Sequence, residues 1–178
     1  MTIPGDLTPR QNLEQALRVN HAGEFGAQQI YKGQLAVLGR DPETAPLLRE
    51  MLEQEQAHLQ SFEQLLNERR VRPTALSPFW RAAGFALGAG TALLGKRAAM
   101  ACTVAVETVI AEHYAEQLEQ LPEDEAELKA TIAQFRADEM EHHDIGLEHE
   151  AEQAPAYGLL SSAIQAGCRG AIWLSKRV

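Results

Sequence analysis

The stretch GEFGAQQIYKGQL, residues 23–35, returns as VETVIAEHYAEQL at residues 106–118, an offset of 83. Glu24 aligns with Glu107, Tyr31 with Tyr114, Gln34 with Gln117 and Leu35 with Leu118. An E-x-x-H follows each copy: Glu55-Gln-Ala-His58 and Glu139-Met-Glu-His142, at an offset of 84. The chain thus reads as two copies of one helical hairpin. Each carries a lone glutamate on its first helix and a Glu-x-x-His on its second.

Prolines and glycines set the expected boundaries. A first helix is predicted from Pro9 to Leu38, stopped by Gly39-Arg40-Asp41-Pro42, and a second from about Glu43 to Arg70. A third long helix is predicted from Lys96 to Leu121, and a fourth from Pro122, with Glu-Asp-Glu as its acidic first turn, to about Glu150. Two shorter pieces complete the chain: an apolar segment after Pro78 and an amphipathic one from Ala156 to Arg177. No alternating β pattern occurs. The fold class predicted is all-α, a four-helix bundle of two hairpins with two additional shorter helices, in one domain over residues 1–178.

Each long helix shows an apolar seam at three- and four-residue steps. Leu13, Leu17, Ala27, Tyr31 and Leu35 mark the first; Leu48, Met51, Phe62 and Leu65 the second. Met100, Ile110, Tyr114 and Leu118 mark the third; Leu128, Ile132 and Phe135 the fourth. At mid-helix every seam is broken by Glu24, by Glu55 and His58, by Glu107, or by Glu139 and His142. An uncompensated carboxylate in an apolar core costs several kcal/mol or more. No Lys or Arg on the seams offers compensation, whereas two divalent ions would. A Glu from each of two helices plus a Glu-x-x-His from each of the others is the donor set of di-iron and di-manganese carboxylate bundles. Oxygen donors with one imidazole per metal suit iron or manganese better than a thiophilic ion.

Other polar residues carry weaker signals. Asp138 could accept a hydrogen bond from a ligand histidine, although a solvated helix aspartate is the simpler reading. His21 lies one turn before Glu24 and suits either a supporting or a surface role. His143 and His149 read as ordinary. Tyr31 and Tyr114 are explained by packing, while a phenol beside a redox metal can also relay a proton or electron; His113 is in the same class. Cys102 and Cys168, far apart and outside any C-x-x-C, read as reduced fillers.

The net charge of -9 excludes a general nucleic-acid binder. The charge is uneven, however. Arg69 to Val106 contains six bases and no acid, and from Gln153 onward Arg169, Lys176 and Arg177 are again unopposed. The apolar run at residues 82–95 is too short to span a bilayer, which needs about 20 residues. It is flanked by Trp80, Arg81, Lys96 and Arg97. Segments 76–97 and 156–178 are therefore expected to face a membrane surface, with packing on the bundle as the alternative. The opening MTIPGDLTPRQNLEQ shows no export or organelle signal. The expected setting is a bacterial cytoplasm, at the cytoplasmic face of the inner membrane.

The stretches LRVNHAGEFGAQQIYKGQ, EQEQAHLQSFEQLL, RVRPTALSPFWRAAGFALGAGTALLGKRAAMACTVAVETVIAEHYAEQL and DEMEHHDIGLEHEAEQAPAYGLL resemble the demethoxyubiquinone hydroxylase family of ubiquinone biosynthesis. The resemblance covers about residues 17–178. It implies a ferritin-like bundle holding two iron ions on Glu24, Glu55, His58, Glu107, Glu139 and His142. His113 and Tyr114 match a position between substrate and iron. The implied reaction is O2-dependent monooxygenation of the ring of a polyprenylated demethoxyubiquinol to demethylubiquinol. The implied reductant is NADH, not tightly held, and other ubiquinone-biosynthesis proteins are implied partners. The alternative is a ferritin- or rubrerythrin-like iron oxidase or peroxidase using the same ligands, which would need no apolar entrance.

Overall fold

The computed structural model describes residues 7–178. The reading of the N-terminus as free of a targeting signal falls partly on residues 1–6, outside the described residues. Six α-helices follow in order: α1 Pro9–Leu38, α2 Thr44–Arg69, α3 Ser77–Leu93, α4 Lys96–Gln120, α5 Ala126–Glu148 and α6 Tyr157–Ser175, with a 3-10 turn at Ala151–Gln153 before the last. No strand occurs among the described residues. The chain is all-helical, as its periodicity required.

Local chemistry explains the ends. Thr8 caps α1 in a reciprocal box: its hydroxyl accepts from Gln11 N–H at 3.3 Å, and Gln11 Oε1 accepts from Thr8 N–H at 2.9 Å. Pro9, at the first turn, loses no helical hydrogen bond. At the start of α2, Asp41 Oδ1 accepts from Thr44 N–H at 2.8 Å. The expectation for α5 needs correction. The helix starts at Ala126 rather than Pro122. Residues 122–125 form a turn, and Glu125 is held by both Arg69 guanidinium nitrogens at 2.6 Å. An ion pair to α2 has taken the acidic side chain that was read as helix-dipole charge.

Helices α1 and α2 form one antiparallel hairpin, α4 and α5 the other; α3 lies along α1 and α6 along α4. The approach of α3 to α1 needs glycine. A Cβ on Gly88 would lie 2.0 Å from the Ile30 carbonyl oxygen, and one on Gly33 would lie 2.2 Å from that of Phe85. Two apolar clusters build the bundle core. One gathers Tyr31, Leu48, Met51 and Met100; the other gathers Leu17, Phe62, Tyr114 and Ile132.

Helices α3 and α6 pack on the bundle and also present apolar side chains outward. Leu93, Leu94, Leu159 and Trp173 are all more than half exposed. The last helix, read as amphipathic, does not turn every apolar side chain inward. Ser161 is buried, while Leu159, Trp173 and Leu174 point away from the core. No helix among the described residues is long and apolar enough to cross a membrane.

Candidate metal centre

The repeat brings its six ligand-type side chains into one buried layer between the two apolar clusters. Glu24, Glu55, Glu139 and His142 are 0% exposed, Glu107 1% and His58 3%. Donor atoms of Glu24, Glu55, His58 and Glu139 all lie within 4.8 Å of one another, and so do those of Glu55, Glu107, Glu139 and His142. Glu55 and Glu139 belong to both sets. Each group could hold one ion. One position would be flanked by Glu24 and His58, the other by Glu107 and His142, with the two shared glutamates between them.

The hydrogen-bond inventory tests the fit. Glu24 Oε2, Glu107 Oε2, both carboxylate oxygens of Glu55 and Glu139, and Nδ1 of His58 and His142 are buried without a hydrogen-bond partner. Buried polar atoms rarely go unpaired. Here the orphans are one oxygen of each flanking glutamate, two of each shared glutamate and one nitrogen of each histidine. That donor set fits a carboxylate-bridged pair of divalent ions.

Each remaining polar atom is already held. The Tyr31 hydroxyl donates to Glu107 Oε1 at 2.6 Å, and the Tyr114 hydroxyl donates to Glu24 Oε1. His58 donates through Nε2 to Asp138 Oδ2 at 3.1 Å, and His142 through Nε2 to Gln54 Oε1. Acceptors at Nε2 turn both Nδ1 atoms into the cluster, where His58 Nδ1 lies 3.2 Å from Glu139 and His142 Nδ1 lies 3.3 Å from Glu55; these are the nitrogens that would bind a metal in unprotonated form. Asp138 is partly solvated, 23% exposed, and at the same time accepts from His58, so both readings of it hold in part. Gln54 was missed from sequence, yet the repeat carried its signal: Gln54 precedes Glu55 as Asp138 precedes Glu139.

In the metal-free layer, burial and mutual repulsion set the charge of these side chains. Burial, with the nearby Glu139 charge adding to it, lifts the carboxyls of Glu55 and Glu107 well above the usual range. Burial alone would raise Glu139 too, but His142 and His58 outweigh it and hold Glu139 at about 2. Burial lowers the His58 imidazole, and the opposing effect of Glu139 and Glu24 carries it up to about 10. Two divalent ions would displace the protons and let all four carboxylates ionise.

Among the weaker candidates, Tyr114 reaches the cluster and His113 does not. His113 Nε2 lies 2.6 Å from Gln117 Nε2, and burial, helped by Lys176, pushes its imidazole down to about 4. Gln117 in turn pairs with Asn20, whose Nδ2 donates to Gln117 Oε1 at 2.8 Å. His21 is buried but lies outside both donor groups. His149 donates to the Ile145 carbonyl at 2.8 Å, and His143 lies against its neighbour Asp144 at 2.9 Å.

A cavity of about 560 Å³ opens between α1 and α4 on one side and α3 and α6 on the other. Its lining is apolar apart from a serine and the indole of Trp80. Gly23 and Val106, the chain neighbours of Glu24 and Glu107, form part of its wall. Cys102 is a buried filler as expected, but the thiol of Cys168 lines this cavity. The basic flanks are less free than the sequence suggested. Lys96 pairs with Asp41 at 2.8 Å and Glu43 at 3.1 Å, and Arg97 with Glu150 at 2.7 Å. Arg169 pairs with Glu112 at 2.9 Å.

The sequence is similar to those of known proteins. The family model described as ubiquinone biosynthesis protein COQ7 matches residues 11–175. The chain is 56% identical over 176 residues to a Rhodospirillum rubrum protein named 3-demethoxyubiquinol 3-hydroxylase, covering 99% of this chain and 83% of the relative. It is 55% identical over 177 residues to a Homo sapiens protein named NADPH-dependent 3-demethoxyubiquinone 3-hydroxylase, mitochondrial, covering 97% and 81%. A Saccharomyces cerevisiae protein named 5-demethoxyubiquinone hydroxylase, mitochondrial, is 44% identical over 182 residues, covering 93% and 78%.

Proposed function

Because the chain belongs to the COQ7 family of ubiquinone-biosynthesis proteins, we propose that it hydroxylates the ring of a polyprenylated demethoxyubiquinol with O2 at a di-iron centre. It is a hydroxylase of the ubiquinone pathway. The observation that carries the finer reading is the set of eight unpartnered donor atoms beside an apolar cavity. Two iron ions held by Glu24, Glu55, His58, Glu107, Glu139 and His142 would supply the redox and Lewis-acid chemistry for reducing O2 and delivering one of its atoms to the ring.

The chain's own part is positioning and exclusion. The cavity accepts an apolar ring and the start of its isoprenoid tail, and its lining keeps bulk water away. Tyr31 and Tyr114 each hold one oxygen of a flanking glutamate, leaving the other oxygen for metal. Burial, with the neighbouring Glu107 and Glu24 charges adding, keeps both phenols protonated. We assign Tyr114 to the site through its bond to Glu24. His113 acts at one remove, as a neutral imidazole in the chain to Gln117 and Asn20.

The reductant in this proposal is a diffusing nicotinamide nucleotide. The sequence suggested NADH, while the name of the Homo sapiens relative specifies NADPH, so both belong in the assay. The apolar outer faces of α3 and α6 support peripheral attachment to the membrane that holds the substrate, and other proteins of the pathway are candidate partners there. An iron oxidase or peroxidase would use the same ligands, but the 560 Å³ apolar cavity would have no role in it.

Iron-loaded protein incubated with a short-tailed demethoxyubiquinol, NADH or NADPH, and ¹⁸O2 tests this reading. One ¹⁸O on the product ring, found by mass spectrometry, is the expected result. Oxygen consumption without ring label would transfer the assignment to the oxidase reading.

A further inference from the structure

The two hairpins supply matched surroundings for the two ion positions, with one chemical exception. Each flanking glutamate receives a tyrosine hydroxyl from the other hairpin, and each histidine offers Nδ1 to the cluster. Each histidine also donates Nε2–H to the residue just before the E-x-x-H glutamate of the other hairpin. For His58 that residue is Asp138, and for His142 it is Gln54. Asp138 is itself steadied by Gln134, whose Nε2 donates to Oδ1 at 2.8 Å. One histidine therefore leans on a carboxylate and the other on a neutral amide.

A carboxylate acceptor strengthens an imidazole as a donor, because it stabilises positive charge shared between ring and metal; an amide oxygen does this far less. It also brings a carboxylate to one end of the site, on a side chain 23% exposed at the edge of the buried layer, where screening is weaker than in bulk water.

Resting on the di-metal reading above, we propose that Asp138 and Gln54 make the two positions inequivalent. The position flanked by Glu24 and His58 takes the first ion and holds it more tightly. The position flanked by Glu107 and His142 fills second and exchanges faster. Asp138 and Gln54 are positioning residues, acting on the metals through the histidines.

Titrating the full-length apoprotein with Co²⁺, followed by visible absorption and paramagnetic proton NMR, tests this without turnover. Two binding steps are expected, the first about tenfold to a hundredfold tighter, the range typical of partners behind a metal-bound histidine. An exchangeable imidazole N–H resonance should appear with the first equivalent, and it should be the one displaced by Asp138→Asn. Asp138→Asn should weaken the first step and bring the two within about threefold of each other. Gln54→Glu should close the gap from the other side, by tightening the second step. Two equal steps in the wild type, or a uniform change of both steps in both variants, would overturn the inequivalence and leave the di-metal reading intact. Binding of fewer than two ions per chain would overturn both.

Discussion

Tyr31 and Glu107 lie 76 residues apart in the chain and meet in a 2.6 Å hydrogen bond from phenol to carboxylate. Tyr114 and Glu24 make the reciprocal contact, 90 residues apart. Each bond crosses from one hairpin to the other inside the buried layer. The tyrosines that recur with the glutamates thus do two things at once. Their rings pack in the core clusters, and their hydroxyls orient the flanking ligands.

Tyr31→Phe keeps the ring and removes only the donor, leaving Glu107 Oε1 buried without a partner. A loss of about 1–3 kcal/mol is expected for the metal-loaded protein, the usual cost of a stranded buried acceptor. Urea unfolding measures it, with metal stoichiometry as a control. Tyr114→Phe should cost about the same through Glu24. Unchanged midpoints in both variants would show that the two cross-hairpin bonds do not support the layer.

Glu55 supplies a pH test. Its folded-state value lies well above the ordinary 4.5, so the folded metal-free chain binds more protons than the unfolded chain above that pH. The Glu55 contribution to stability must then fall as pH rises above 4.5. His58, shifted from 6.5 to about 10, contributes its stabilisation in full below pH 6.5 and loses it progressively as pH rises from there through about 10. Glu139, held at about 2, contributes fully above 4.5 and loses its effect as pH falls through 2. His113, lowered to about 4, adds a slope of opposite sign to that of Glu55 in the same window, so the difference between variants is the informative quantity. Between about pH 5 and 6.5, Glu55→Gln should gain stability over the wild type as pH rises, in metal-free protein only. A constant difference across that window would mean that Glu55 is not held protonated.

Much of the fold and of the candidate site was legible because buried charge is so costly that a glutamate in an apolar seam demands an explanation. Glu24 and Glu107, repeated with Tyr31 and Tyr114, gave the hairpins and their order. What was not legible depended on long-range pairing. Glu125 looks like the first turn of a helix until Arg69 from α2 takes its carboxylate. Lys96 and Arg97 look like headgroup anchors until Asp41, Glu43 and Glu150 arrive from distant positions. Asp138 has the sequence signature of any solvated helix aspartate, and only the folded bundle brings it against His58, 80 residues away in the chain.

Those ion pairs change how membrane attachment should be tested. Reversing Lys96 and Arg97 would break contacts within the protein, so a loss of vesicle binding would be ambiguous. Arg81 lies over the Phe25 ring at 5.7 Å and Arg177 over Trp173 at 3.8 Å, and neither forms an ion pair among the described residues. Leu159 and Trp173 are 75% and 55% exposed on α6. Leu159→Ser with Trp173→Ser should weaken flotation with anionic liposomes at least about tenfold, since burying each such side chain contributes about 1.5–3 kcal/mol. Arg81→Glu with Arg177→Glu should add a salt-dependent loss. Undiminished flotation in both double variants would remove the outer faces of α3 and α6 as the attachment surface.

The glycines separate packing from passage. A Cβ at Gly88 would collide with the Ile30 backbone, whereas one at Gly26 or Gly167 would meet nothing within 4 Å, and both of these line the cavity. Gly88→Ala should therefore force α3 away from α1 and destabilise the protein, an effect visible in its thermal midpoint. Gly26→Leu and Gly167→Leu should not lower the midpoint or the bound metal, because a Cβ at either position enters open space and leucine favours the helix by up to about 1 kcal/mol over glycine. If the ring and tail travel through that space, the same two variants should lower kcat/KM for a demethoxyubiquinol at least about tenfold, the scale of a few methylenes obstructing an apolar pocket. Full turnover with a filled cavity would mean that substrate reaches the metals by another route, and would move the entrance away from the groove between α3 and α6.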